Sequence, residues 1–89
     1  MSMEKAKGFL RNDIERLKTL LEEKNTNNVE LRSLSHQLKG GAGMLGEGDI
    51  ESAAKLLLIK LTNEPSDQFE KVKLSALAIV DKWLFENRP

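Results

Sequence analysis

Apolar residues recur every three or four positions in four segments of this 89-residue chain, and this period constrains its fold more than any other feature. The first segment runs from about Glu4 to Lys24. Its apolar stripe is formed by Leu10, Ile14, Leu17 and Leu21, and is widened by Phe9 and Leu20. The spacing predicts an amphipathic helix with one face directed towards a core.

The second segment runs from about Asn28 to Leu45 and follows the same period. Asn27, followed three residues later by Glu30, is typical of a capping box at the start of a helix. We expect Gly46 and Gly48 to end this helix. Its apolar positions are Leu31, Leu34, Leu38, Ala42 and Leu45.

The third and fourth segments are also predicted to be helices. Asp49 is placed to cap the third, whose wide apolar face is formed by Ile50, Ala53, Ala54, Leu57, Leu58 and Leu61. Asn63, Glu64 and Pro65 are expected to stop it, since proline cannot continue a helix. Ser66 would cap the fourth, whose apolar face is formed by Phe69, Val72, Ala76, Ile79, Val80 and Trp83.

Strand-like alternation is missing from the sequence, and β-branched residues are sparse. Short connections make consecutive helices antiparallel, and each apolar stripe can then close the same core. We therefore predict an all-α fold, an antiparallel up-down-up-down four-helix bundle, with residues 1–89 forming a single domain.

Charge and composition argue against several classes of function. Fourteen basic residues balance fourteen acidic ones and only four residues are aromatic, so we expect no nucleic-acid partner. The chain has no cysteine and one histidine, which argues against a metal site. Because no apolar run has the length of a membrane span or the flanks of a signal peptide, we expect a soluble cytoplasmic protein. We also expect a monomer.

The only histidine, His36, lies in the middle of the second segment. On a helical wheel it lies about 180° from the centre of that segment's apolar sector, so we expect it to be exposed. Gly40 and Gly43 follow on the same outer face, although each helical glycine costs roughly 1 kcal/mol relative to alanine. We expect both to keep the approach to His36 open. Gly41 points nearer the core, where we expect it to permit close helix packing.

Two cations flank His36 on the wheel, Arg32 one turn before it and Lys39 three residues after it. A neutral imidazole is a competent nucleophile near pH 7, and neighbouring cations stabilise added negative charge. This layout is expected of a histidine that carries a phosphoryl group and meets another protein. Val29 and Met44 are either apolar contacts for that partner or ordinary boundary residues, and the sequence favours neither interpretation.

The run HQLKGGAGMLG, residues 36–46, resembles the signature of histidine-containing phosphotransfer (HPt) domains, which is H-x-L-K-G followed by small residues and an apolar residue–glycine pair. The resemblance extends over most of the chain. Phe9-Leu10 with Ile14 and Leu17 resembles the first core helix of the family, and Ile50, Ala54 and Leu57 match the usual positions of the third.

The resemblance implies a four-helix bundle that relays phosphoryl groups in multistep two-component signalling, without autonomous kinase activity. By this resemblance His36 is the phosphoacceptor, Lys39 steadies the phosphoryl oxygens and Gly40 keeps the site open. The role of Arg32 rests on geometry alone. The implied partner is the receiver domain of a response regulator or hybrid histidine kinase, docked across segments two and three. That receiver would bind Mg²⁺, and this chain would need no cofactor.

One position departs from the family pattern. Leu58 stands where the family often has a glutamate, which puts nothing catalytic in doubt.

An alternative function stays open. The chain could be a non-catalytic bundle that binds a receiver or histidine kinase as a scaffold or inhibitor, and the intact His36 argues against this. A nucleophilic pairing of His36 with Ser33 or Ser35 is remote, because no acid at helical spacing would orient it.

Overall fold

A computed structural model describes residues 3–23, 27–62 and 68–87. These residues form four α-helices. They are α1 (Met3–Glu22), α2 (Asn28–Met44), α3 (Gly48–Thr62) and α4 (Gln68–Glu86). These ranges contain no strand, which confirms the all-α prediction. The expected stop at residues 63–65 and the expected cap at Ser66 lie outside the described residues.

Each helix packs against two neighbours. Within the described ranges α1 contacts α2 and α4, α3 contacts α2 and α4, and the two diagonal pairs do not touch. Such a ring of contacts between helices joined by short connections is a four-helix bundle. The contact between α2 and α3 is the most extensive. No described helix has the length and hydropathy needed to cross a bilayer.

The core is built from the apolar stripes that the helical period predicts. All four helices contribute buried residues, which are Leu10, Ile14, Leu17, Leu20, Leu21, Leu31, Leu34, Leu38, Ala42, Ile50, Ala53, Ala54, Leu57, Val72, Ala76, Val80 and Trp83. Among the residues predicted to face the core, Phe9 is the one that is exposed, at 60%. The prediction that it widens the stripe is wrong. The helical period places Phe9 and the buried Leu20 at similar angles from the centre of the stripe, so the packing of the neighbouring helices decides which of them is covered.

The N-terminus of α2 shows one half of the predicted capping box. The Asn27 side-chain oxygen accepts hydrogen bonds from the backbone N–H groups of Val29 and Glu30, both at 3.1 Å. The reciprocal half of the capping box is replaced, because the Glu30 carboxylate pairs with Arg16 of α1. One residue thus joins the start of α2 to the neighbouring helix.

The C-terminus of α2 closes in a Schellman motif. Gly46 adopts a φ of 74°, which a side chain would disfavour. The N–H of Glu47 donates to the carbonyl of Ala42 at 2.8 Å, and that of Gly46 donates to the carbonyl of Gly43 at 3.3 Å. Gly46 therefore ends α2 as predicted, and the chain turns directly into α3.

The start of α3 differs from the prediction. The N–H of Glu51 donates to the carbonyl of Glu47 at 3.0 Å, so Glu47 occupies the position before the first helical residue, Gly48. Gly48 begins α3 instead of ending α2, and Asp49 lies in the first turn rather than at the cap. An acidic group there still interacts favourably with the helix dipole. The Glu47 carboxylate accepts a 2.8 Å hydrogen bond from the Trp83 indole, which joins this turn to α4.

Candidate functional site

His36 projects into solvent from the middle of α2. Leu34, Ser35 and Leu38 of the same helix are buried, whereas His36 is exposed together with its neighbour Gln37. The predicted outward phase of His36 is confirmed, because the helix places its leucines against the core and carries the imidazole round to the opposite face.

Two open grooves flank His36, and its side chain lines both of them. The first groove is lined by His36 with Val29, Arg32, Ser33 and Gln37 of α2 and Leu58 of α3. The second is lined by His36 with Lys39, Gly40, Gly43 and Met44 of α2 and Glu51 and Lys55 of α3. Their volumes are about 600 and 490 Å³, so the imidazole can be approached from either side.

Each groove contains one cation of α2 that lies within one helical turn of His36. Arg32 lines the first groove and Lys39 the second, so the predicted flanking arrangement is present. Neither side chain forms an ion pair with any carboxylate in the described part of the chain. Two uncommitted positive charges beside an exposed imidazole can stabilise negative charge that is added to it. Their role in binding phosphate stays a prediction.

Gly40 leaves open space beside His36. Among the described residues, a Cβ built at Gly40 meets no atom within 4 Å, in agreement with the prediction of an unobstructed approach. The same holds at Gly41, where an added Cβ also meets no described atom within 4 Å. The prediction that Gly41 permits close helix packing is therefore wrong, because no described part of a neighbouring helix reaches that position.

Gly43 has a different surrounding from the one predicted. A Cβ at Gly43 would overlap the Glu51 Oε2 atom and lie 3.3 Å from the Glu51 Cδ atom. Gly43 is exposed and lines the second groove beside His36, and its role in keeping the approach open stays a prediction. The missing side chain at Gly43 provides the space in which the Glu51 carboxylate of α3 rests against α2.

The apolar residues Val29 and Met44 lie at opposite ends of the His36 face. Val29 is 81% exposed in the first groove, and Met44 is 90% exposed in the second. Along the helix axis their Cα atoms are separated by about 22 Å, at about 1.5 Å per residue. Both side chains are accessible to a partner, and their role in docking stays a prediction.

Three residues of α3 belong to the site but were not predicted for it. Glu51, Lys55 and Leu58 recur at four- and three-residue spacing, so they lie on one face of α3, and this face meets α2. Leu58 is half-buried at the edge of the apolar face rather than within the core. The spacing was visible in the sequence, but the rotation of α3 relative to His36 was not.

Ser35 and the acidic residues do not extend the chemistry of the site. The Ser35 hydroxyl is buried, without a hydrogen-bond partner in the described residues, and faces the core while His36 faces solvent. A Ser35–His36 pairing is therefore not formed. Within the same ranges no three histidine or carboxylate side chains group into a metal-ligand set.

Comparison with known proteins identifies the family. Neither the curated proteins nor the solved structures give a match to this chain. The family model described as Hpt domain matches residues 3–78, which include all of α2 and α3 and therefore both grooves beside His36. Because this match covers most of the 89 residues, the chain belongs to the Hpt domain family.

Proposed function

We propose that this protein is a phosphorelay intermediate in which His36 accepts a phosphoryl group from an aspartyl phosphate on one receiver domain and passes it to an aspartate on another. Membership of the Hpt family supports histidine phosphotransfer in general. The observation that carries the proposal for this residue is the position of the chain's only histidine, exposed between two grooves, each with a cation of α2 that has no ion pair in the described residues.

The transfer step needs a nucleophile and charge stabilisation, and it needs no further covalent chemistry from this chain. The unprotonated ring nitrogen of His36 attacks phosphorus, a P–N bond forms, and the P–O bond to the receiver aspartate breaks. The aspartate leaves as a carboxylate, and the product carries a phosphoryl group on a ring that keeps its own proton. Arg32 and Lys39 offset the charge of the phosphoryl oxygens.

The receiver docks over the face formed by α2 and α3. In this arrangement Val29, Leu58 and Met44 supply apolar contacts around His36, and Gly40 leaves room for the approaching aspartate. Receiver-bound Mg²⁺ would neutralise the phosphoryl group from the partner's side, so the chain itself needs no metal. We further propose that the protein acts as a cytoplasmic monomer, since the docking face is then free on every copy.

The decisive experiment mixes the protein with a receiver carrying labelled aspartyl phosphate and measures acid-labile label on the protein. We expect label on the wild type and none on His36→Gln, while the control Ser75→Ala, an exposed position on α4, is labelled like the wild type. Label on His36→Gln would assign the acceptor elsewhere. A wild type that binds the receiver without taking label would instead be a scaffold or inhibitor.

A further inference from the structure

The second groove beside His36 contains a cation from a different helix. Lys55 of α3 lines this groove together with His36 and Lys39 of α2. The two lysines belong to the two helices that line the groove, and the exposed His36 side chain lines it as well. An anion attached to His36 on this side therefore lies in a groove that contains ammonium groups from both α2 and α3.

Lys55 is held only loosely in the unphosphorylated protein. Its Nζ atom lies 3.9 Å from the Glu51 Oε1 atom, one helical turn away, and its side chain is 53% exposed. Exposed ion pairs at this spacing and distance contribute little to stability. A dianionic phosphoryl group in the same groove is a stronger partner for the Lys55 ammonium than a single carboxylate.

Glu51 is the carboxylate neighbour of Lys55 in this groove. One Glu51 oxygen, Oε2, rests over Gly43 of α2, where a Cβ would overlap it in its present position. The other oxygen, Oε1, lies 3.9 Å from the Lys55 Nζ atom while His36 is unmodified. The same carboxylate repels a phosphoryl group, so the groove accepts one more readily when Lys55 turns from Glu51 to the phosphoryl oxygens.

We propose that Lys55 is a second phosphate-binding residue of the site, which exchanges Glu51 for the phosphoryl oxygens when His36 becomes phosphorylated. The inference rests on the proposed function, because it requires a phosphoryl group on His36. No bond is made or broken in this exchange. Glu51 is the positioning residue, and Gly43 provides the space for its carboxylate.

The test uses the full chain labelled at His36 with potassium phosphoramidate, a small-molecule donor that needs no receiver. Phosphorus NMR then follows the titration of the phosphoryl group with pH. Because a nearby cation favours the dianion, we expect Lys55→Gln to move the titration midpoint to higher pH and Lys55→Arg to leave it near the wild-type value. Glu51→Gln removes the repelling carboxylate, and we expect it to move the midpoint to lower pH.

Lys71→Gln is the matched control, because it removes an exposed cation from α4, a helix that does not contact α2 in the described ranges. A midpoint in Lys55→Gln equal to the wild type, or a shift in Lys71→Gln as large as that in Lys55→Gln, would overturn the inference. Circular dichroism verifies that each variant is folded. Failure of receivers to transfer phosphate would contradict the relay and leave this result standing.

Discussion

The two sides of the bundle use their cations differently. On the side formed by α1 and α4, the Lys18 ammonium lies 2.8 Å from an Asp81 carboxylate oxygen, and the Arg11 guanidinium donates to the backbone carbonyl of Asn87. On the side formed by α2 and α3, Arg32 and Lys39 have no carboxylate partner in the described ranges. One side joins helices with its charges, and the other leaves Arg32 and Lys39 available.

This difference separates structural charges from those that suit a functional site. Exposed ion pairs contribute at most about 1 kcal/mol to stability, so pairing Arg32 or Lys39 would stabilise the bundle little. Leaving them unpaired costs equally little in stability. The uncommitted charges instead raise the local positive potential around His36, where a phosphoryl group would add negative charge.

The largest expected effect concerns the core that both sides share. Leu38 of α2 is 1% exposed, and Leu38→Ala is expected to lower the free energy of unfolding by about 2–5 kcal/mol, because it leaves a cavity. Met44→Ala, on the outer face of the same helix, is expected to change it by less than about 0.5 kcal/mol. Urea denaturation measures both. Similar losses in the two variants would contradict the division of α2 into a structural and a functional face.

The next test removes an available charge from the His36 side. Lys39→Ala is expected to slow transfer from a phosphorylated receiver by roughly tenfold to a hundredfold, since a charge-assisted hydrogen bond contributes about 1.5–3 kcal/mol. The melting temperature is expected to stay near the wild-type value. Lys18→Ala, which removes a cation from the α1/α4 side, is expected to transfer at the wild-type rate. Equal rates in Lys39→Ala and the wild type would show that the unpaired lysine has no role in transfer.

Steric access on the same side can be tested at Gly40. Gly40→Ala is expected to raise the free energy of unfolding by up to about 1 kcal/mol, because an added Cβ meets no atom and alanine favours the helix. Gly40→Leu is also expected to fold, but to slow transfer, since its side chain leans towards the preceding turn and His36. Stopped-flow measurement of transfer checks the second expectation. Wild-type transfer in Gly40→Leu would remove the steric argument.

The smallest expected effect belongs to the paired side. The hydrogen bond and negative charge of Asp81 raise the pKa of Lys18 above 10.5. A raised folded-state pKa means that the pair stabilises the protein below pH 10.5 and that this contribution is lost as the pH rises through the raised value. Lys18→Gln is therefore expected to be slightly less stable than the wild type at pH 7, with a difference that shrinks above pH 10.5.

Denaturation curves at pH 7 and above pH 10.5 give this comparison. The control is Lys71→Gln, which removes an exposed lysine that has no ion pair in the described ranges. A difference between wild type and Lys18→Gln that stays constant with pH would mean that Lys18 acts through packing and not through its charge.

Much of the bundle follows from local sequence, because helical period and end signals act within a few residues. The four stripes predict the buried faces, Asn27 caps α2, and Gly46 ends it with a positive φ. The same period places His36 opposite the leucines of α2. Phe9 and Asp49 were misassigned. Whether Phe9 is buried depends on which residues the neighbouring helices cover, and the first backbone hydrogen bond of α3 depends on how the chain leaves α2.

The sequence by itself determined four amphipathic helices and an outward-facing histidine with a cation on each side, because these depend on the geometry of one helix. Only the tertiary structure decided which residues of α3 face His36. The period of α3 does not specify its rotation and offset against α2, so the positions of Glu51, Lys55 and Leu58 in the grooves, and the space over Gly43, emerge from packing.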